Sequence, residues 1–375
     1  MINSKEFIKQ LKKNNINFFT GVPDSLFSNM CNSLSRFEKN NHELSSNEGS
    51  SVGMAIGYYL ATQKIPLVYL QNSGLGNIIN PLISLADKKV FNIPIFFLIG
   101  WRGEILKKNK QIKDEPQHRT QGLITPDLLK LLNIKFKILS KKSNFKKDIA
   151  YLSKYAKKRN RIVALLIRKE SFEKKDFNRK ITLKNYLSRE KALFEVCKYL
   201  PKNIPKISTT GMLSRELNEI NIKNKTNDST FMCIGGMGHA ISIATGLAKF
   251  KRKKKILCLD GDGSALMHLG AQASSAKKGN LIHIVFNNFA HDSVDGDRPP
   301  TENINFYKLA SEMGYSKSFI AKTKKEIKSK IKFSLKSKKS VFIEIICTRG
   351  HRKNLTRPEK NTIYYKKKFM DFLKK

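Results

Sequence analysis

Short apolar runs alternate with stretches of helical periodicity along nearly the whole chain. The runs "FFTGV", "IPLVYLQ", "IPIFFLIG", "KFKIL" and "IVALLI" read as strands in the first half, and "KISTT", "FMCIG", "KILCLD", "LIHIVFNN" and "VFIEII" in the second. Runs that are apolar throughout, rather than alternating, mark strands buried on both faces, and helices between them provide the crossovers that parallel strands require. The predicted fold class is therefore α/β, with two doubly wound parallel-sheet domains. The blocks span 1–168 and 190–375, and "KESFEKKDFNRKITLKNYLS" between them is polar without sustained periodicity, which predicts a linker over 169–189. A chain of 375 residues is long enough for two cores of this kind. No short-period repeat interrupts the pattern.

The same pattern argues against a membrane. "MINSKEFIKQLKKNN" has an amphipathic helical pattern and no signal-peptide apolar core. The longest apolar run, "VFNIPIFFLIGW", is too short to span a bilayer and contains Pro94. Charge changes the picture less than its size suggests. With 72 Lys and Arg against 30 Asp and Glu, the net charge is +42, a value that prompts a nucleic-acid reading. The lysines, however, are spread over most surface segments, as at Lys12-Lys13, Lys157-Lys158, Lys253 to Lys255 and Lys366 to Lys368. No zinc finger, RNA-binding signature or aromatic-basic groove accompanies them. The expectation is a lysine-rich soluble surface with no specific nucleic-acid partner, compatible with attraction of an anionic substrate. Five scattered cysteines without C-x-x-C spacing argue against a disulfide framework or a zinc site and fit a reducing cytoplasm.

Chemistry concentrates in "DGDGSALMHLGAQASSAKKGNLIHIVFNN", residues 260–288. "KILCLD" ends at Asp260, and Gly261 to Gly263 form the turn at its carboxyl end, where open parallel sheets bind ligands. The glycines permit close backbone approach to a phosphate, and a helix starting near Ser264 aims its N-terminus at that anion. One crossover later, Asn287-Asn288 close the next strand at the same edge. Asp262 and Asn288 are then hard oxygen ligands suited to Mg²⁺. In isolation either motif would be a helix cap or a turn; their joint placement favours a ligand set.

Gly261-Asp262-Gly263 followed by Asn287-Asn288 resembles the signature of thiamine diphosphate (ThDP) enzymes. The resemblance implies Mg²⁺ held by Asp262, the Asn288 side chain and the Ala290 carbonyl, with Gly235, Gly261, Gly263 and Ser264 around the diphosphate. "HELSSNEGSSVGMAIGYYLAT" is similar to the element whose glutamate, here Glu48, bonds the cofactor's aminopyrimidine and so activates its thiazolium carbon. On its own that stretch also allows a capping box between Ser45 and Glu48. In "GGMGHAISIATGLA", Met237 sits where the family places the apolar wedge beneath the cofactor; elsewhere such a methionine is ordinary core filling.

"TGVPDS", "YLQNSGLGNIINPL", "WRGE", "KDEPQHRTQG", "STTGMLSREL" and "NNFAHDSV" narrow the resemblance to the phosphonopyruvate decarboxylases, with the sulfopyruvate decarboxylases as near relatives. The matching blocks run from about 17 to 358. They imply a pyrimidine-binding domain over 1–168 and a diphosphate-binding domain over 190–375, without a middle domain. They also imply cofactor sites shared between subunits, hence at least a dimer, and loss of CO2 from a 3-substituted pyruvate. Under this resemblance Asp24 and His118 handle protons, and Asn72, Ser73, Arg119 and His291 contact substrate. The absent middle domain disfavours an acetolactate-synthase-like ligase. Two departures lie near the substrate mouth: a lysine-rich extension over 105–113, and Phe289 with "VDGDRPPTE" where a small residue and Gly-Gln-Pro-Thr are expected.

Overall fold

The computed structural model describes residues 1–106, 110–173, 186–290, 304–352 and 354–375. The chain divides into two compact units, Met1–Asn178 and Arg179–Lys375. In the first, strands β1 (Phe19–Gly21), β2 (His42–Leu44), β3 (Leu67–Gln71), β4 (Phe96–Gly100), β5 (Lys135–Leu139) and β6 (Val163–Ile167) form one parallel sheet in the order β2-β1-β3-β4-β6-β5. Successive residues of a strand face opposite ways. Leu67, Tyr69, Phe96, Leu98 and Leu165 accordingly pack against helices Ser4–Lys13, Ser28–Phe37 and Phe145–Arg159. Val68, Leu70, Phe97, Ile99 and Leu166 pack with residues of Glu48–Thr62, Leu75–Pro81 and Pro116–Leu131. Two apolar layers explain why these strands are apolar at every position.

The second unit repeats the plan. Strands β7 (Lys206–Ser208), β8 (Thr230–Met232), β9 (Ile256–Gly261), β10 (Leu281–Asn287), β11 (Lys317–Ala321) and β12 (Val341–Ile346) are parallel, in the order β11-β12-β10-β9-β7-β8. Counted from its other edge this is again second, first, third, fourth, sixth and fifth strand. Leu257, Leu259, Ile282, Ile284, Ile343 and Ile345 share a core with helices Arg189–Lys198, Met212–Asn224 and Lys324–Lys336. On the opposite face Ile256 and Cys258 meet helix Ala240–Phe250, and Val285 and Phe342 meet helix Phe306–Glu312. The α/β class and the parallel sheets agree with expectation.

Two strands lie outside the expected set. β2 is three residues long, and β11, "KSFIA", is half exposed. Both are edge strands, one neighbour each, so neither needs a continuous apolar run. Among the described residues all five cysteines are free, and no helix is long and apolar enough to cross a membrane.

In each sheet the chain winds first one way and then the other, so the strand order reverses between its first and third strands. Ligands bind at such switch points, outside the carboxyl ends of the strands. Those ends are β1 and β3 in the first unit, and β7 and β9 in the second.

Candidate active site

In the second unit, β9 ends at Gly261 and Asp262 opens the helix Asp262–Met267. The strand register pairs Gly261 with Phe286, so Asp262 and Asn288 leave neighbouring strands at one edge. Both are buried, at 4% and 2% exposure. The paired asparagines have separate tasks. Asn287 donates from Nδ2 to Glu344 Oε1 of β12 at 2.8 Å, tying the strand end to its neighbour, and burial pushes the Glu344 carboxyl above its ordinary range. Asn288 Oδ1 accepts the Ala290 amide at 3.3 Å, folding the Asn288-Phe289-Ala290 turn back on itself. Phe289 sits in that turn with φ of +52°, a left-handed conformation that costs a side-chain-bearing residue about 1 kcal/mol. His291 lies outside the described residues.

Ser264 gathers the elements around this edge. Its hydroxyl accepts the Gly238 amide at 3.0 Å and lies 2.8 Å from Thr209 Oγ1, just beyond β7. The Gly235 to Gly238 loop requires its glycines: Gly236 and Gly238 have φ of +64° and +88°, and a Cβ on Gly238 would fall 2.5 Å from the His268 ring. Met237 is held half-buried between them. Gly261 faces open space, where nothing would meet a Cβ within 4 Å. A buried carboxylate, a buried amide and an open glycine turn at a strand end fit Mg²⁺ with a phosphate group beside it.

In the first unit Glu48 opens the helix Glu48–Thr62 and is 6% exposed. The N-cap is Asn47, whose Oδ1 accepts the Ser50 amide at 2.9 Å, while Ser45 Oγ donates to Asn47 O. A Ser45–Glu48 capping box is therefore not formed, because the residue between them caps instead. The Glu48 carboxylate is aimed elsewhere: Oε2 accepts Asn77 Nδ2 at 2.7 Å, and a Cβ on Gly74 would come within 2.3 Å of Oε1. Gly74 leaves room for the acid.

Asp24 follows β1, fully buried, and Oδ1 accepts the Leu26 amide at 2.8 Å. Oδ2 takes a close hydrogen bond from Gln71 Nε2 at the end of β3, and Ser73 Oγ donates to Gln71 Oε1 at 2.8 Å. Burial raises the Asp24 carboxyl above its ordinary value, while Gln71, backbone amides and the Arg102 charge pull it back. Arg102, after β4, makes a two-pronged pair with Asp114, Nε to Oδ2 at 2.9 Å and Nη2 to Oδ1 at 2.7 Å. Arg102, with the Glu115 and Gly103 amides that Asp114 also accepts, holds the Asp114 carboxyl far below its usual range despite partial burial.

His118 lies at the start of helix Pro116–Leu131, and its buried Nδ1 has no hydrogen-bond partner. Burial first, and the Arg102 charge next, lower its pKa, leaving a neutral imidazole. Its placement depends on two glycines. A Cβ on Gly122 would lie 1.9 Å from Gly103 O, and one on Gly103 would lie 2.1 Å from His118 O. Trp101 Nε1 donates to Gly122 O at 2.8 Å and clamps the same contact. Gln111, within the extension, is anchored through Nε2, which donates to both Gly103 O and Arg119 O at 2.6 Å.

The structure thus brings Asp24, Ser73 and His118 around the carboxyl ends of β1, β3 and β4. Asn72 differs: its Nδ2 bonds Arg102 O and Thr125 Oγ1, each at 3.0 Å, and its Oδ1 accepts the Arg102 amide at 3.1 Å. Its amide is engaged within the chain, so it positions Arg102. Arg119 is exposed. Gln71, Asn77 and Arg102 were not singled out from sequence. Gln71 and Asn77 meet Asp24 and Glu48 across 47 and 29 residues, and Arg102 meets Asp114 across 12.

Two family models match. The thiamine pyrophosphate enzyme N-terminal TPP binding domain covers residues 3–125, and the C-terminal TPP binding domain covers 209–345. The chain is 28% identical to a phosphonopyruvate decarboxylase of Streptomyces hygroscopicus, over 84% of this chain and 80% of that protein. It is 26% identical to one of Streptomyces viridochromogenes, over 100% and 95% of the two chains. A sulfopyruvate decarboxylase of Methanosarcina acetivorans is 29% identical, over 66% of each. With both of its domains matched over well more than half its length, the chain belongs to the thiamine pyrophosphate enzymes.

Proposed function

As a premise drawn from that membership, we propose that the chain catalyses the ThDP- and Mg²⁺-dependent decarboxylation of 3-phosphonopyruvate to phosphonoacetaldehyde and CO2, serving phosphonate biosynthesis. The observation that carries the reading is the division of labour between the two sheet edges. Asp262, Asn288 and the open Gly261 turn stand at one, and Glu48 with Asp24, Arg102 and His118 at the other. The similarity to the two phosphonopyruvate decarboxylases supports the substrate.

When bound, the cofactor supplies the electron sink for the carbanion left by CO2. Asp262, Asn288 and the Ala290 carbonyl would hold its metal, with Gly235, Gly261, Gly263 and Ser264 around the diphosphate and Met237 as the wedge. Glu48, buried and fixed by Asn77, would present its carboxylate to the aminopyrimidine. Asp24 retains a proton more readily than an exposed carboxyl and would supply one to the product carbon, while neutral His118 would accept and pass on a proton beside it. Arg102 is held by Asp114 as a fixed positive charge for the substrate's anionic groups, with Ser73, Arg119 and His291 as further contacts. The proposal includes self-association of at least two copies, Mg²⁺ as the metal and a cytoplasmic location.

The test is CO2 release from 3-phosphonopyruvate, 3-sulfopyruvate and pyruvate, side by side, with ThDP and Mg²⁺. Preference for 3-phosphonopyruvate is expected. Preference for sulfopyruvate would move the chain to the neighbouring enzyme, and preference for pyruvate would overturn the substrate assignment altogether. Light scattering on the eluted peak checks the dimer; a monomer that turns over would contradict it.

A further inference from the structure

Beneath the Gly261 turn lies a cluster that the proposed chemistry does not use. Cys258 and Asp260 are two residues apart on one face of β9, and His283 of β10 is the register partner of Cys258. All three are completely buried, and one donor atom from each lies within 4.8 Å of the others. Asp260 Oδ2 and His283 Nε2 face each other at 3.5 Å, and neither has a hydrogen-bond partner. A buried carboxylate oxygen and a buried ring nitrogen without partners are each costly. The other His283 nitrogen, Nδ1, lies 3.2 Å from Tyr315 Oη, which fixes the ring with Nε2 turned toward Asp260.

We propose that Cys258, Asp260 and His283 form a buried transition-metal site of the zinc class, separate from the Asp262–Asn288 edge. The donor set decides the metal. Thiolate and imidazole suit zinc, whereas magnesium takes oxygen ligands. Ligands around a tetrahedral zinc stand about 3.5 Å apart, so donors within 4.8 Å of one another need to close by up to about 1.3 Å. The Tyr315 contact is the outer-shell partner that metal-bound histidines ordinarily have. Three protein donors leave one position for water. Binding releases the Cys258 proton to solvent and leaves the sulfur as thiolate, with no change of oxidation state. The spacing argument from sequence missed this set because its donors come from two strands joined by a crossover, not from a local C-x-x-C. Such an ion would pin β9 to β10 directly below the turns bearing Asp262 and Asn288.

The experiment uses the full chain, expressed with zinc in the medium, stripped of loosely held ions by brief dialysis against a chelator, and assayed for metal by plasma mass spectrometry. About one zinc per chain is expected, retained in Asp262→Ala and lost from Cys258→Ser. Reconstitution of the wild type with cobalt should give a near-ultraviolet thiolate-to-metal charge-transfer band. Circular dichroism checks the fold of each variant, and the cobalt band decides the matter if Cys258→Ser does not fold. Absence of both zinc and the thiolate band from the wild type would overturn the proposal. So would full zinc retention by folded Cys258→Ser.

Discussion

The two sheets have the same strand order and put different chemistry at equivalent places. After the second strand, one unit starts a helix with Glu48, and the other makes the Gly235 to Gly238 loop around Met237. After the third strand, one has Asn72, engaged within the chain, and the other has Asp262. After the fourth, one has Arg102 paired to Asp114 and the other Asn288. The architecture therefore supplies positions, and side chains alone decide whether a position holds an acid, an amide or a cation. In the proposed function the first sheet carries the groups that hold protons and attract anions. The second carries oxygen ligands and open glycines.

Substitutions can break this division. Glu48→Gln keeps the size of the side chain and removes its charge. Turnover should fall on the order of 10³-fold while ThDP still binds, as a steady-state assay paired with calorimetry would show. Asp262→Ala should instead act on affinity, weakening Mg²⁺-dependent ThDP binding by on the order of 100-fold in the same calorimeter. Equal losses of affinity in both variants would erase the distinction between the sheets.

Two further tests concern the first unit alone. Gly122→Ala drives a methyl group into Gly103 O and should cost about 2.5 kcal/mol. Hydrogen exchange should then rise in peptides of residues 1–173, with those of 186–375 unchanged.

His42 gives the smallest effect. It is buried against Tyr69 Oη at 2.7 Å, and burial lowers its pKa to about 4 from 6.5. Between those values the unfolded chain binds the proton and the folded chain does not, so stability is lost as pH falls. The loss by pH 5 should be about 2 kcal/mol, read from denaturant midpoints, and absent in His42→Gln.

Much of the plan was legible because burial on both faces leaves a plain mark. β3, β4, β6, β9, β10 and β12 are each apolar along nearly their whole length. The edges β2 and β11 left no such mark, since one neighbour and partial exposure permit polar residues. At the candidate site, the turn at Gly236 to Gly238 announces itself, because few other residues tolerate its left-handed conformations. Pairings do not. Nothing local to Asn287 and Asn288 says that the first binds Glu344, nor does anything near Arg102 name Asp114 among its acidic neighbours. The first partner is set by strands far apart in sequence, the second by the path of the loop between β4 and the next helix.

The division between the sheets is tested most directly by hydrogen–deuterium exchange at the thiazolium carbon of ThDP, followed by NMR with Mg²⁺ present. Wild-type protein should accelerate the exchange. Glu48→Gln should bind the cofactor and lose the acceleration, while Asp262→Ala should recover it only at much higher cofactor and metal concentrations. Exchange at the wild-type rate in cofactor-saturated Glu48→Gln would contradict the account.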